Sequence, residues 1–200
     1  MAAKVLLSLK VLFVLLLVAS KLAIAQEEFS LKEKENILQV KIRTVQHMAF
    51  NPVIVNAVRQ QNAQNLSLAT IQQRDEEWKT ADKLTPFKRS LQNSKAGKLL
   101  KRHVTFNDSF NEAFLTDNQG ANVAAYPATS DYWQGDEEKW IKSFNNGNGK
   151  IFIGPIEEDE STQTAAVQIS APILDQGATI GVLVIGITLD YVESKKAGKQ

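Results

Sequence analysis

Thr129-Ser-Asp-Tyr-Trp-Gln-Gly-Asp-Glu-Glu-Lys-Trp140 is the stretch around which the chain is organised. It places aromatic rings, an amide, a hydroxyl and carboxylates close together, between segments with the pattern of β-strands. Loops on a rigid scaffold often carry binding residues, and aromatic walls with a few polar groups are typical of small-molecule sites. The stretch is therefore either the rim of a ligand pocket or a core-covering loop and helix in which Tyr132 and Trp140 fill the core.

The residues around this stretch predict a hairpin before it and a helix within it. Ala113 to Thr116 and Asn122 to Tyr126 enclose Asp117-Asn-Gln-Gly120, a turn-forming cluster that predicts a β-hairpin. Asp136 to Phe144 has the pattern of a helix. The cluster Asn145-Asn-Gly-Asn-Gly149 suits its left-handed C-cap and the turn that follows.

Three further strands are predicted after this helix. Lys150 to Ile156 and the alternating segment Ala165 to Ala171 predict two of them. Ile180 to Leu189 is apolar on both faces, which is expected of a central strand. Asp175-Gln-Gly177 is expected to join the last two strands as a hairpin.

The first half of the sequence predicts helices. Ser30-Leu-Lys-Glu33 is a capping box that begins a long amphipathic helix, and Asn51-Pro52 ends it and begins a second helix that reaches about Leu66. Thr70 to Gln73 and Thr85-Pro86 are expected to begin two more. The apolar stripe of the first helix is Leu31, Leu38, Ile42, Val45 and Ala49. Helices followed by strands predict an α+β fold.

Residues 1–25 have the pattern of a signal peptide. Lys4 and Lys10 stand at the start of a short apolar run, which leads to Ala23-Ile-Ala25 before the expected cleavage site. An uncleaved membrane anchor is the alternative, since Lys21 is unusual so close to a cleavage site. The expected location is therefore the periplasm or the exterior of the cell.

Charge and cysteine content exclude several classes of function. The formal charge is +1, and it becomes −2 without residues 1–25, which hold three lysines and no acid. A nearly neutral protein lacks the basic excess that would argue for binding to nucleic acid or to an anionic membrane surface, so no nucleic-acid partner is expected. The chain has no cysteine, which excludes thiol catalysis and cysteine-bound metals.

Several motifs, taken in order, resemble the single Cache, or PDC-type, extracytoplasmic sensor domains. The matching segments are Asp117 to Val123, Thr129 to Glu137, Ile153-Gly154, Asp159 to Ser161, Ile169 to Pro172 and Gly181 to Leu183. The resemblance implies a PAS-like fold with a long N-terminal helix packed on a roughly five-stranded antiparallel sheet. It also implies a small-ligand pocket between the sheet and its covering loop and helix.

The local sequence patterns and the resemblance together divide the chain into four expected parts. These are the signal peptide (1–25), an N-terminal long helical region (26–69), the Cache sensor domain (70–192) and a flexible tail (193–200). The sequence contains no second span and no output module, so we expect a free-standing domain that signals through a partner. A membrane receptor or sensor kinase is the expected partner, and a homodimer through the N-terminal helix is a further expectation.

The expected ligand is a small metabolite: an organic acid, an amino acid or an amine. The ligand-binding residues are predicted to be Phe114, Tyr126, Ser130, Tyr132, Trp133, Gln134, Trp140, Asp159 and Ser161. Asp159 and Ser161 also suit a solvated acidic turn, and Asp131 also suits a cap of its own loop. Amino-acid-binding relatives with two Cache modules place arginines just before the matching tryptophan, whereas here Asp136, Glu138 and Lys139 precede Trp140.

No enzyme, metal or cofactor is expected. His47 and His103 lie far apart in sequence and have no nearby nucleophile or ligand-spaced partner. The acidic residues lack the spacing of a calcium loop. The alternative to a sensor is a structural or interaction protein that associates through its long helix and has a vestigial pocket.

We expect the exported protein to begin at Gln26, because the small residues Ala23 and Ala25 suit the signal peptidase. Intact-mass measurement and N-terminal sequencing of protein from the periplasm check this. A mature protein that retains Met1 would favour the anchor.

Overall fold

The computed structural model describes the backbone of residues 36–159 and 164–188. It describes the side chains of the same residues except 157–159 and 164–165. The chain divides into two compact units, residues 1–41 and 42–200. In the first unit the described residues, 36–41, are helical. In the second unit residues 42–49 are helical, and this helix is α1. The predicted signal peptide, the capping box at Ser30 and the tail from 193 lie outside the described residues.

Four helices lie between α1 and the first strand. They are α2 (Pro52–Asn62), α3 (Leu68–Lys79), α4 (Pro86–Asn93) and α5 (Lys95–Thr105). The predicted starts at Asn51-Pro52 and Thr85-Pro86 are confirmed, because the Asn51 side chain accepts the N–H of Val53 and the Thr85 side chain accepts that of Lys88.

Three helix boundaries differ from the prediction. The cap of α3 is Ser67, whose hydroxyl accepts the N–H of Thr70, so the predicted start at Thr70 is wrong by one turn. Helix α2 stops at Asn62 rather than near Leu66, and Asn65 has a φ of 47° in the turn that follows. A second cap at Ser94 separates α4 from α5, a division that the sequence prediction missed.

Five strands form one antiparallel sheet, in the spatial order β2-β1-β5-β4-β3. They are β1 (Phe110–Thr116), β2 (Asn122–Tyr126), β3 (Phe152–Asp159), β4 (Thr164–Asp175) and β5 (Ala178–Thr188). The apolar strand β5 is central, as predicted, and the predicted α+β class is confirmed. The strand predicted from Lys150 begins two residues later, at Phe152.

The predicted turns take left-handed backbone conformations. In the β4–β5 hairpin, Gln176 and Gly177 have φ values of 50° and 86°, which is the pattern of a two-residue type I′ turn. Helix α6 (Glu138–Phe144) starts two residues after the predicted Asp136 and ends at Asn145, whose φ is 49°. The predicted C-cap is therefore confirmed.

One face of the sheet lies under α6. Ala125, Phe114, Val184, Ser170 and Phe152 are register partners, so they form a row across all five strands. Partners in a ladder share a face, and Trp140 and Phe144 of α6 pack against Phe114, Ala125 and Val184. Helix α5 packs against β1 and β2.

Gly97→Ala should lower the free energy of unfolding by about 2 kcal/mol, because overpacking a closed contact is destabilising. A Cβ at Gly97 would lie 2.1 Å from the carbonyl oxygen of Leu91, and α5 would have to move away from α4. Urea unfolding measures the change. Gly154→Ala is the control, since its Cβ would meet no atom closer than 3.5 Å and should be tolerated.

Candidate functional site

The loop between β2 and α6 runs beside the β1–β2 turn and pairs with it through an isolated β-bridge. Trp133 forms an antiparallel bridge with Ala121, and the backbone N–H of Asn122 donates to the carbonyl of Tyr132 over 2.9 Å. A Cβ at Gly120 would lie 2.4 Å from the Cα of Gly135. The two backbones therefore meet at a distance that only glycine permits.

Asp75 of α3 fastens this loop to the helical layer. Its Oδ1 accepts the backbone N–H groups of Tyr132 and Trp133 over 2.8 and 2.9 Å, and its Oδ2 lies 2.6 Å from Nζ of Lys79. Asp75 is 3% exposed, so the carboxylate meets its acceptor capacity with protein donors. This role of Asp75 was not predicted from the sequence, although a carboxylate on the apolar face between Ile71 and Trp78 is a signal for it.

Tyr132 lies in the core rather than at an open rim. Its ring is 5.8 Å from that of Trp78 and 5.3 Å from that of Phe87, and it is 1% exposed. The phenolic oxygen accepts from Nε2 of Gln61 over 3.4 Å, and burial raises the pKa of the Tyr132 hydroxyl. The Tyr132 ring therefore packs as the core-filling alternative predicted.

Trp133 is half-buried and fixed by a hydrogen bond. Its indole Nε1 donates to the carbonyl oxygen of Gln119 over 2.8 Å, and its ring packs beside Tyr132 and Ala121. Trp133 therefore closes the space between the loop and the β1–β2 turn.

A polar network surrounds Asp131. Nδ2 of Asn122 and Nε2 of Gln134 both donate to the Asp131 carbonyl oxygen, over 3.0 and 3.4 Å. Gln134 also donates to the Asp131 carboxylate, and the exposed Ser130 donates its hydroxyl to the same group over 3.3 Å. The Thr129 hydroxyl accepts from Asn122 and donates to the Asp131 carbonyl.

Two acceptors of this network receive no hydrogen bond from the residues that the structure describes. Oδ1 of Asn122 and Oε1 of Gln134 are buried and form no hydrogen bond, although the residues are 0% and 1% exposed. Leaving a buried amide oxygen without a donor costs about 1–3 kcal/mol. The network therefore lacks hydrogen-bond donors for these two oxygens.

Phe114 and Trp140 lie together on the α6 side of the sheet. The indole Nε1 of Trp140 donates to the Asp117 carbonyl over 3.3 Å, and its ring stacks on Phe144 with centroids 4.8 Å apart. Nζ of Lys139 lies 5.7 Å from the centroid of Phe114. In the same row of the sheet, the hydroxyl of Ser170 is buried without a partner.

The remaining predicted site residues lie elsewhere or are not described. Tyr126 ends β2, is half-buried, and has Nζ of Lys101 5.3 Å from its ring centroid. Asp159 is the last residue of β3 and pairs through its backbone with Thr164. Ser161 lies outside the described residues. The ligand contacts of all nine predicted residues stay a prediction.

The turn before β2 is held by a second buried carboxylate. Oδ1 of Asp117 accepts the backbone N–H groups of Gln119 and Ala121 over 2.8 and 2.9 Å. Burial raises the pKa of this carboxyl despite those donors. Asp117 also offers its backbone carbonyl to Trp140, so the turn connects the loop to α6.

Within residues 36–159 and 164–188, no helix has the length and apolar content to cross a membrane. In the same residues, no three His, Cys, Asp or Glu side chains are grouped to hold a metal ion.

Asp75→Ala should lower the free energy of unfolding by about 3 kcal/mol, because one buried and one partly buried N–H group would lose their acceptor. Lys79→Ala is the matched control, and it should cost less than about 1 kcal/mol because Lys79 is half exposed. Urea unfolding of both variants distinguishes the two contacts. Equal losses would show that the ion pair, and not the anchored loop, carries the effect.

The sequence matches no protein-family model and no curated protein. Among solved structures, the chain is similar to a domain of a sensory box/GGDEF family protein from Vibrio parahaemolyticus, with 14% identity and a TM-score of 0.53. This likeness covers 87% of the chain and 62% of that structure. The extracellular domain of the histidine kinase vpHK1S-Z8 is 15% identical, with a TM-score of 0.50, and the likeness covers 87% of this chain and 58% of that one.

A third similar structure is the ligand-binding domain of the Pseudomonas aeruginosa amino acid chemoreceptor PctC in complex with GABA. It is 14% identical, with a TM-score of 0.49 and coverage of 84% of this chain and 61% of that one. The chain thus spans about three-fifths of the length of the structures that it resembles. The described residues have the α+β fold of the Cache, or PDC-type, sensor domains, as the sequence resemblance predicted.

Proposed function

We propose that the chain is an exported sensor domain that binds a small metabolite through the loop around Asp131 and transmits the binding to a partner protein. The two unpaired acceptors, Oδ1 of Asn122 and Oε1 of Gln134, are the observation that carries this proposal. Its class is supported by the fold, which is that of sensory domains of a kinase and of a sensory box protein. A sensory module of this kind is not itself an enzyme.

The orientation of the two amides supports a binding role. The side-chain nitrogens of Asn122 and Gln134 both donate to the carbonyl oxygen of Asp131. If either amide were flipped, its oxygen would face that carbonyl oxygen and the hydrogen bond would be lost. The two oxygens are held where none of the described residues supplies a hydrogen-bond donor. A ligand that brings donors would recover the free energy that these buried oxygens lose on folding.

The charge around the loop favours an amine or ammonium group as the donor. The Asp131 carboxylate belongs to the network, whereas no Lys or Arg side chain of the described residues donates a hydrogen bond to it. Lys79 is near, but its ammonium is paired with Asp75 over 2.6 Å. Among organic acids, amino acids and amines, the ligands that carry an amino group therefore fit best.

Phe114 and Trp140 supply the apolar part of the proposed site. Trp140 shares the Asp117 turn with the loop, and Phe114 lies below α6 in the row that contains Ser170. An amine with a short apolar chain combines the two kinds of contact. The roles of Tyr132 and Trp133 are then to hold the loop through Asp75 rather than to touch the ligand first.

The signal would pass through contacts that already join the loop to the helices. Asp75 couples the backbone at Tyr132 to α3, and Gln61 couples the Tyr132 hydroxyl to α2. Ligand binding that favours one position of the loop would shift α2 and α3 with it. The proposed partner is a membrane receptor or sensor kinase that contacts α2 and α3 in the periplasm and detects their shift.

A structural or interaction protein is the second candidate. Its supporting observation is the exposed apolar pair at the α1–α2 junction, where Phe50 and Val53 are 60% and 38% exposed. Self-association through these helices would cover both side chains. Sedimentation velocity over a hundredfold concentration range distinguishes this candidate, because it requires a dimer in the absence of any small ligand.

Thermal unfolding of the protein against amines, amino acids and carboxylates is the deciding experiment. A ligand present at 100 times its Kd should stabilise the fold by about 2.7 kcal/mol. We expect stabilisation by compounds with an amino group and none by their deaminated carboxylates. Gln134→Leu should remove this stabilisation, because it deletes one of the two acceptors.

The matched control for Gln134→Leu is Asn148→Leu, an amide on the exposed turn after α6. This variant should keep the full response to the ligand. Stabilisation by carboxylates alone would overturn the amine preference while leaving a sensor. Silence across the panel, combined with a dimer in sedimentation, would favour the interaction protein.

A further inference from the structure

Helices α4 and α5 lie in the most basic part of the sequence. Residues 83–107 contain no Asp or Glu, although the whole chain has 22 acidic and 23 basic residues. The basic residues of this segment are Lys83, Lys88, Arg89, Lys95, Lys98, Lys101 and Arg102. The nearly neutral total therefore conceals a strongly positive local surface.

The fold turns most of these cations toward solvent. Helix α5 buries Ala96, Gly97, Leu99 and Leu100, and this leaves its lysines and arginine on the exposed side. Lys88 is the exception, since it is buried, donates to the carbonyl of Ala81 and lies over the Trp78 ring. We use the name basic face for the exposed cations Lys83, Arg89, Lys95, Lys98, Lys101 and Arg102.

The cations of the basic face form no ion pair with the side chains that the structure describes. The ion pairs found there involve Arg59, Lys79 and Lys142, and none involves a cation of α4 or α5. Lys101 lies over the ring of Tyr126, which leaves its charge uncompensated. Unpaired like charges on adjacent helices repel one another, and a negatively charged partner would relieve this repulsion.

An aromatic ring stands at the end of the basic face. Phe106 is the C-cap residue of α5, and it is 83% exposed. Leu84 and Phe87 at the start of α4 are 37% and 36% exposed. Cations combined with exposed aromatic and aliphatic side chains are typical of surfaces that lie on a lipid bilayer, where the apolar groups enter the boundary between headgroups and acyl chains.

We propose that the basic face docks on an anionic phospholipid bilayer, with Phe106 inserted at the headgroup level. A bilayer presents many negative charges in one plane, which matches cations spread over two helices better than the narrow track of a nucleic-acid backbone does. The attachment is electrostatic and reversible, because the apolar face of α5 is used by the core. This inference is independent of the small-molecule site.

Co-sedimentation with vesicles tests the proposal. The purified protein should pellet with vesicles of phosphatidylcholine containing 30% phosphatidylglycerol and stay in the supernatant with phosphatidylcholine alone. Binding should weaken at least tenfold between about 0.05 and 0.5 M NaCl, because salt screens charges at the surface. Lys95→Glu/Lys98→Glu should weaken binding at least twentyfold, since each exposed cation contributes about a factor of five.

The matched control is Lys142→Glu/Lys150→Glu, which makes the same change in net charge at exposed sites outside the basic face. It should bind the anionic vesicles within about threefold of the original protein, and Phe106→Ser should bind less tightly than the original. Equal losses in both double variants, or no pelleting with anionic vesicles at low salt, would overturn the proposal. Tighter binding to single-stranded DNA than to anionic vesicles would overturn it as well.

Discussion

The carboxylate of Asp75 is the group on which the arrangement of the candidate site depends. It accepts hydrogen bonds from the backbone N–H groups of Tyr132 and Trp133, which follow Asp75 in the sequence by 57 and 58 residues. A buried acceptor with two strong donors fixes both position and direction. The aromatic cluster of Trp78, Phe87 and Tyr132 then fills the space beside this contact.

The sheet provides the rigid support that this loop requires. Strand β5 is central and buried along almost its whole length, and every neighbouring strand pair is antiparallel. The β1–β2 turn connects two strands of this sheet, and the loop pairs with the turn through Ala121 and Trp133. Polar groups such as Asn122 and Gln134 are therefore held by backbone that cannot easily rearrange to satisfy them.

Sequence periodicity and capping chemistry predicted most of the elements, because they depend on neighbouring residues. The Asn51 and Thr85 caps, the two hairpins and the central strand all follow from local signals. The cap at Ser94 was missed because no proline or apolar period marks it. The Asp75 contact and the burial of Tyr132 depend on residues that are far apart in sequence. Local sequence patterns do not predict such long-range contacts.

The loop around Asp131 is fastened largely through its backbone. Gly120 meets Gly135, and the Asn122 N–H meets the Tyr132 carbonyl, so these contacts do not depend on which side chains the loop carries. Ser130 and Asp131 can consequently change during evolution without releasing the loop. A site of this kind can acquire a new ligand preference through one or two substitutions, whereas both glycines have to be retained in every descendant that keeps the fold.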